Sequence, residues 1–410
     1  MKSLLFKNFS WSFIGSSIYA LSQWILIITI MRVGSPHDAG VYSLGLALSA
    51  PIIMLINLNF RAMQSTDLSI RFGFNAFKVT RILGNALFFC VFLIILAITN
   101  YNIEIATALV LIALIKIIES FSDLYYGLFQ YNERLDLVAK STILRGVLGT
   151  LLFGFGYYIF KDLSLALVLM LVMWTLNLIF FDIKNGKYFL KEMQSEAKNL
   201  KIKSLIKIGL PIGLVSFIAS LNVNIPRLVF EQYLTLEDLG YFTAIFYLVL
   251  VIGKFMTSLS SATLPRMANL YENGNLISFF KIFKLIMFLL MFFSSLTIMI
   301  SYFWGSELLL FVYGEDYYSL NILLILIMIY GLFNYLGFAF EIGLNAMKKY
   351  EFRLYIEIFV TLAVIFSSIY FIPNFGLNGG AIALIISAIF KTILLTVLFM
   401  FKYKALNIKL

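Results

Sequence analysis

Charged side chains recur at helical spacing inside the long apolar runs of this sequence. Lys116, Glu119 and Asp123 lie three and then four residues apart, so they share one face of a helix. A charge near the centre of a bilayer costs roughly 2.5–3.5 kcal/mol, so such side chains normally face a protein interior or an aqueous cavity, where they bind substrates or ions. We interpret Lys116 as a candidate for substrate binding and the two carboxylates as candidates for ion coupling.

A second group of polar residues follows the same spacing later in the chain. Asn224, Arg227 and Glu231 share a helix face, and Asn222 lies close to them. Pro226 removes a backbone donor from this segment and weakens its helical hydrogen bonds, as in the broken helices of transporters. The arginine and both asparagines are candidates for substrate binding, and Glu231 is a candidate for coupling.

Lys254 and Glu341 extend the pattern to two further segments. Lys254 lies well inside an apolar run and has no acidic residue three or four positions away, so a ligand phosphate is one candidate partner. Glu341 shares a helix face with Asn334 and Asn345 and is a further coupling candidate. Polar stripes in both halves of the chain predict a polar cavity between the halves.

Structural pairing is an alternative for several of these charges. Glu119 can pair with Lys116 three residues away, and Arg227 can pair with Glu231 four residues away. The sequence leaves both interpretations open.

Two basic residues lie nearer to the predicted helix ends. Arg145 and Lys391 are close enough to those ends for their side chains to extend to the lipid headgroups, which is the interpretation that we favour. Arg145 is nevertheless kept as a candidate contact for a substrate.

Composition identifies the class of protein that positions these residues. Hydrophobic residues make up 61% of the 410-residue chain and charged residues 13%, against about 45–50% and about 25% in soluble domains. Apolar runs of about 20 residues, long enough to cross a hydrocarbon core of ~30 Å, recur throughout. The sequence therefore predicts an all-α, multi-pass membrane protein with twelve transmembrane helices. Their predicted ranges are 10–31, 40–60, 80–99, 104–128, 141–160, 163–182, 205–233, 239–262, 282–304, 318–346, 353–372 and 377–401.

Lysine and arginine lie almost entirely in one set of the loops between these helices. The opposite set holds only Arg32 and Lys161. Positively charged loops stay on the cytoplasmic side, so both termini are predicted to be cytoplasmic. The net charge of +10 follows from this bias and gives no reason to expect nucleic acid. A basic segment, 184–204, is expected to lie against anionic lipid.

The sequence contains little that could support an enzyme. Cys90 is the single cysteine and His37 the single histidine, so no disulfide within the chain and no histidine-ligated metal site is expected. There is no glycine-rich phosphate loop, no Ser/His/Asp arrangement and no long external loop that could carry catalytic carboxylates. We expect no cofactor and no catalytic residues.

An internal repeat indicates two similar halves. Asp38 and Gly40 in the first half correspond to Asp238 and Gly240 in the second. Each pair follows one apolar run and opens the next. The predicted organisation is an N-terminal six-helix bundle, 1–183, a cytoplasmic basic linker, 184–204, and a C-terminal six-helix bundle, 205–410.

Several sequence motifs carry a resemblance to a known family. They are Asn224-Ile-Pro-Arg227 with Asp238-Leu-Gly-Tyr-Phe242, the stretches 122–136 and 141–146, Tyr313-Gly-Glu-Asp-Tyr317, and the stretch 372–381. Together they resemble the polysaccharide and O-antigen flippases of the superfamily that also contains the multidrug and toxin extruders. The resemblance implies two six-helix bundles around a V-shaped cavity in the bacterial cytoplasmic membrane. It also implies transfer of an undecaprenyl-diphosphate-linked oligosaccharide to the outer leaflet by alternating access, with the membrane potential or an H⁺ or Na⁺ gradient as driving force. A polysaccharide polymerase and chain-length proteins are the expected partners.

The physical properties of such a substrate agree with the candidate residues. Cations in a low-dielectric cavity attract a diphosphate, arginine through bidentate hydrogen bonds and lysine as a point charge. Tyr19, Gln23 and Trp24 in the first helix, together with Asn222, are suited to holding sugars.

Two other functions remain open. A cation-coupled multidrug extruder would use carboxylates such as Glu119 and Glu341, although the first helix has no acidic residue and Arg227 and Lys254 argue against it. A membrane polysaccharide polymerase is disfavoured by the absence of a long external loop.

Overall fold

The computed structural model describes residues 2–65, 68–193, 202–347 and 352–407, and most of these residues are helical. Within these ranges, the side chains of 2–7, 9, 68–71, 191–193, 254–259, 261–262, 265 and 402–407 are not described. The helices are α1 (Lys2–Val33), α2 (Pro36–Asn57), α3 (Phe60–Gln64), α4 (Leu68–Thr99), α5 (Ile103–Tyr131), α6 (Leu135–Phe160), α7 (Leu163–Asn177), α8 (Lys184–Met193), α9 (Ile202–Tyr233), α10 (Leu236–Glu272), α11 (Leu276–Tyr313), α12 (Asn321–Ala346) and α13 (Arg353–Asn407). A π-helical turn, Leu178–Ile183, joins α7 to α8, and a 3₁₀ turn, Glu315–Leu320, precedes α12.

Eleven of the described helical segments are long and apolar enough to cross a membrane. The last of them, Arg353–Phe401, has 49 residues, which would extend about 74 Å as a straight helix, more than twice the hydrocarbon thickness. It turns back on itself at Gly376, whose φ of 55° is a left-handed conformation that glycine adopts readily. Across this turn the Ser367 hydroxyl lies 3.4 Å from the carbonyl oxygen of Ala383. Dividing α13 at Gly376 gives twelve spans, which confirms the predicted all-α class and multi-pass membrane architecture.

The internal repeat is visible where the second helix of each half begins. α1 ends at Val33 and α2 begins at Pro36, while α9 ends at Tyr233 and α10 begins at Leu236. Ser35 caps α2 by accepting a hydrogen bond from the backbone N–H of Asp38. Thr235 caps α10 by accepting one from Asp238, 3.1 Å away. The aspartates that the repeat aligned therefore occupy the same position in two helix caps.

Contacts within the chain divide it into two units, Met1–Asn224 and Ile225–Leu410, with the boundary inside α9. In the first unit, α1 packs along α6, with Gly15 placed so closely that an added Cβ would lie 2.8 Å from the Cα of Ala139. Small residues allow such a close approach between membrane helices. In the second unit α12 packs against α10, α11 and α13. The predicted linker 184–204 begins with α8, and residues 194–201 lie outside the described ranges.

Pro226 does not interrupt α9, which is helical from Ile202 to Tyr233. The first unit instead has a break after α2, where Leu58 and Asn59 both have positive φ angles, 48° and 53°. Left-handed backbone at such residues requires stabilisation by surrounding contacts. Leu58 has such contacts, because it packs against Gly209 and Gly213 of α9.

Candidate functional site

Glu119 is the centre of a charged cluster in the first unit. Its carboxylate lies 2.8 Å from Nζ of Lys116, 3.3 Å from Nη2 of Arg145 and 3.2 Å from the Tyr19 hydroxyl, which donates to it. These partners come from α5, α6 and α1, so three helices converge on one carboxylate. Tyr19 was predicted to hold sugars, and in this structure it orients Glu119.

Arg145 does not extend to the membrane surface, so the interpretation favoured from the sequence is wrong. Its side chain is only 4% exposed. The guanidinium carbon lies 4.6 Å from the ring centre of Trp174 and 5.0 Å from that of Tyr19. Two aromatic faces and one carboxylate stabilise the cation where it is buried, so a path to the lipid headgroups is unnecessary.

Asp123, one helical turn further along α5, has partners that are distant in sequence. Its carboxylate lies 3.6 Å from Arg61 on α3 and 3.7 Å from Arg81 on α4. The Arg81 side chain is completely buried and hydrogen-bonds to the Asn57 side chain and to Ser120, 3.1 Å away.

Arg61 is more accessible than Arg81. Its side chain is 37% exposed, and its Nε donates to Gln130 at 3.2 Å. Arg61 pairs with Asp123 and Lys116 pairs with Glu119, so basic side chains accompany both carboxylates of α5. Neither Arg61 nor Arg81 was among the candidates from the sequence.

Tyr126 joins the two carboxylate centres. The guanidinium carbons of Arg61 and Arg145 lie 5.5 Å and 5.7 Å from its ring centre. We call the resulting group the α5 charge cluster. It contains Lys116, Arg145, Arg61, Arg81, Glu119 and Asp123, together with Tyr19 and Tyr126. Four cations and two carboxylates give it a formal charge of +2.

The α5 charge cluster is partly open. The side chains of Lys116, Glu119 and Asp123 are 22%, 27% and 29% exposed, and they lie inside a candidate membrane span. Exposure of several charges to hydrocarbon is unfavourable, so we expect this surface to face water or a polar ligand. The cluster is therefore a net cationic, accessible site within the membrane segment.

The second unit contains a separate group of charges. Nζ of Lys391 lies 2.9 Å from Glu341 and 2.9 Å from Glu357, whose side chain is almost fully buried. The expected extension of Lys391 to the headgroups is therefore also wrong. A small open cleft adjoins the group and is lined by both glutamates, Asn345 and Arg353.

Arg227 is buried in the second unit beside aromatic rings. Its guanidinium carbon lies 5.3 Å from the ring centre of Phe246, and Tyr247 and Tyr330 are neighbours. Glu231, one turn away on α9, is partly buried. The Lys254 side chain lies outside the described residues.

The remaining candidates lie on α1 and α9. Gln23 and Trp24 are partly buried on α1, outside the contacts of the α5 charge cluster described above. Asn222 and Asn224 are buried, and Asn224 donates to the carbonyl oxygen of Ser220 in its own helix at 2.8 Å. Within the described ranges, no three His, Cys, Asp or Glu side chains gather so as to hold a metal ion.

The fold resembles that of multi-pass membrane transporters. An inward-facing multidrug resistance MATE family transporter of the MOP superfamily superposes with a TM-score of 0.68, over 97% of this chain and 99% of that chain, at 14% identity. An outward-facing one gives 0.67 over 99% and 96%, also at 14% identity. A MATE transporter from Vibrio cholerae gives 0.65 over 98% and 97%, again at 14%. At this level of identity the likeness concerns the fold alone.

Residues 5–271, more than half of the chain, match the family described as "Polysaccharide biosynthesis protein", and the chain belongs to that family. A capsular polysaccharide biosynthesis protein, CapF of Staphylococcus aureus, is 28% identical over 382 residues, which cover 93% of this chain and 96% of the relative. The family resemblance inferred from the motifs is thereby confirmed. The comparisons and the fold describe a polysaccharide-pathway protein with a transporter architecture.

Proposed function

We propose that this protein transfers an oligosaccharide linked to undecaprenyl diphosphate from the inner to the outer leaflet of the bacterial cytoplasmic membrane. The observation that carries the proposal is the α5 charge cluster, in which Arg61 and Arg145 contact one tyrosine ring inside a membrane segment. The family and the name of the staphylococcal relative support a polysaccharide substrate.

The proposed contacts follow from exposure and charge. Arg61 is the most exposed arginine of the cluster and presents a planar fork that matches phosphate oxygens, while Lys116 adds a point charge. Glu119 and Asp123 hold these cations in place before the diphosphate arrives. Exchange of a carboxylate for a phosphate keeps each cation paired throughout, which avoids the cost of an isolated charge within the membrane.

Transport is driven by an ion gradient or by the membrane potential in this proposal, and the charged site is exposed alternately to each side of the membrane. The carboxylates proposed for coupling are Glu119, Asp123, Glu341 and Glu231. The first three lie in charge clusters, where a bound H⁺ or Na⁺ would change which cations are paired. Membrane lipid, a polysaccharide polymerase and chain-length proteins are the proposed partners.

Arg227 and Lys254 are proposed as further contacts to the diphosphate. The alternative for Arg227 is neutralisation of Glu231. The two roles are distinguished by measuring export of lipid-linked glycan in Arg227→Ala, Glu231→Ala and the double variant. A substrate role predicts that the double variant fails like Arg227→Ala, and wild-type export by the double variant at normal protein levels would exclude that role.

Cells that lack the native protein test the proposed function as a whole. We expect them to lose surface glycan and to accumulate the lipid-linked oligosaccharide in the cytoplasmic leaflet, with both effects reversed by the wild-type gene. The multidrug extruder is the second candidate, because the similar structures are multidrug transporters. Wild-type glycan in the deleted strain, combined with higher sensitivity to ethidium, would favour that candidate instead.

A further inference from the structure

Asp182 is a buried carboxylate outside the set of predicted candidates. It lies in the π-helical turn Leu178–Ile183, and its residue exposure is 0%. π-Helical turns are rare and occur frequently at functional sites. Among the described residues, neither carboxylate oxygen has a hydrogen-bond partner with good geometry. A buried carboxylate in this condition requires either a proton or a nearby cation.

Arg145 interacts electrostatically with Asp182. Its Nη2 binds Glu119, whereas Nε and Nη1 are buried and have no hydrogen-bond partner among the described residues. Two neighbouring groups of opposite charge therefore both have unused hydrogen-bonding atoms. A pairing between them would satisfy both, because the arginine fork matches the two oxygens of a carboxylate.

The other polar groups around Asp182 come from α5 and α6. Ser122, Tyr125 and Tyr126 approach from α5, and Ser141 approaches from α6 together with Arg145. The Ser141 hydroxyl accepts a hydrogen bond from Asn177 of α7 at 2.9 Å.

Polar groups lie between Asp182 and the α5 charge cluster. The Tyr126 hydroxyl lies 2.9 Å from the Ser141 hydroxyl. With Tyr126 as the donor, the proton of Ser141 is free to point towards Asp182. The Tyr126 ring also contacts Arg61 and Arg145, so these polar groups reach the partly exposed cluster.

We propose that Asp182 is a proton-binding site that determines which carboxylate Arg145 pairs with. With a proton on Asp182, Arg145 stays on Glu119, as in this structure. Release of that proton to water leaves a carboxylate, which draws the guanidinium away from Glu119 through Nε and Nη1. Glu119 remains paired with Lys116 and Tyr19 in that state. The consequence for transport rests on the proposed function: proton release removes one cation from the diphosphate site.

Trp174 provides a readout that is independent of transport. Arg145 lies over its ring, so movement of the guanidinium changes the field at the indole. We would replace Trp11, Trp24 and Trp304 by Phe and record the emission of the purified full-length protein from about pH 4 to about pH 9, which spans the usual range of carboxylate and histidine titration.

The expected result is one pH transition in the emission of Trp174. Asp182→Asn should abolish it, whereas Asp162→Asn, which changes the cap of α7 at its other end, should retain it. Absence of a transition in the parent protein, or an unchanged transition in Asp182→Asn, would overturn the proposal.

A second variant covers the case in which Asp182→Asn does not fold. Arg145→Gln keeps Asp182 and removes the charge that moves, so it should also abolish the transition. A transition of unchanged midpoint and amplitude in Arg145→Gln would contradict the proposal. Because no glycolipid is present, a protein that fails to transport one can still pass this test, and the two proposals fail separately.

Discussion

The guanidinium group of Arg145 lies over the indole ring of Trp174, with 4.6 Å between the guanidinium carbon and the ring centre. This stacking explains how an arginine remains buried ten residues inside α6 without reaching the lipid headgroups. A planar guanidinium can stack on a ring and bind a carboxylate at the same time, whereas a lysine ammonium cannot. The identity of residue 145 should therefore matter as much as its charge.

Arg145→Lys should retain only part of the export of lipid-linked glycan, and Arg145→Ala should retain less. Loss of a charge-assisted hydrogen bond typically costs about 1.5–3 kcal/mol, or roughly ten- to a hundredfold in affinity. Lys140→Ala is the matched control, because Lys140 is on the same helix with its side chain 47% exposed. Quantification of surface glycan at equal protein levels checks the prediction. Wild-type export by Arg145→Lys would show that stacking on Trp174 is unimportant.

Arg81 should contribute to stability more than any exposed arginine of the first unit. Its side chain is fully buried beside Asn57, Ser120 and Asp123. Removal of one member of a buried ion pair typically destabilises a protein by about 3–5 kcal/mol, whereas exposed pairs contribute about 0–1 kcal/mol. Arg81→Gln should lower the melting temperature of the purified protein clearly, and Arg134→Ala, from an exposed pair with Asp136, should not. Equal melting temperatures for the two variants would contradict this interpretation.

The charges of the second unit lead to a prediction about stability. Lys391→Met leaves Glu341 and Glu357 close together without the ammonium that both contact. We expect the variant to be less stable than the wild type in thermal unfolding, because two carboxylates then repel each other in a buried position. Adding Glu341→Gln and Glu357→Gln should recover most of the loss. If the triple variant is no more stable than Lys391→Met, repulsion between the glutamates is not the cause.

The sequence was informative wherever a local pattern determines the structure. Apolar runs long enough to cross a bilayer predicted the helices, and the gap between the predicted spans 353–372 and 377–401 contains the turn at Gly376. The spacing of Lys116, Glu119 and Asp123 placed them on one face of α5, where the structure has them. These features depend on periodicity and length, which a single sequence displays.

Tertiary partners could not be derived in the same way. Arg61 and Arg81 join Asp123 from α3 and α4, and no helical period relates them to α5. Arg145 and Lys391 were expected at the membrane surface because distance to a helix end was the only available criterion. Their burial depends on Trp174, on Tyr19 and on glutamates from other helices, which sequence spacing does not reveal.

The predicted topology is tested by cysteine accessibility. Cys90 is exposed on an apolar helix, so it is first replaced by Ala. Cysteines introduced at Asn100 and Asn374 should then react with a membrane-impermeant maleimide added to intact cells, and a cysteine at Asn273 should react only after permeabilisation. This pattern follows from the positions of lysine and arginine in the loops. The reverse labelling pattern would overturn the cytoplasmic assignment of both termini.

The transfer of the glycolipid itself is measured with purified protein in liposomes. The probe is undecaprenyl diphosphate carrying an oligosaccharide with a fluorophore that an impermeant reductant bleaches on one leaflet only. The wild-type protein should expose the protected half of the probe much faster than protein-free liposomes. Arg61→Ala should slow this exposure by about tenfold or more, since it removes a charged partner of the diphosphate, while the exposed control Lys187→Ala should match the wild type. Two results would contradict diphosphate transport through the α5 charge cluster. One is that the wild-type protein exposes the probe no faster than protein-free liposomes do. The other is that Arg61→Ala exposes the probe as fast as the wild type.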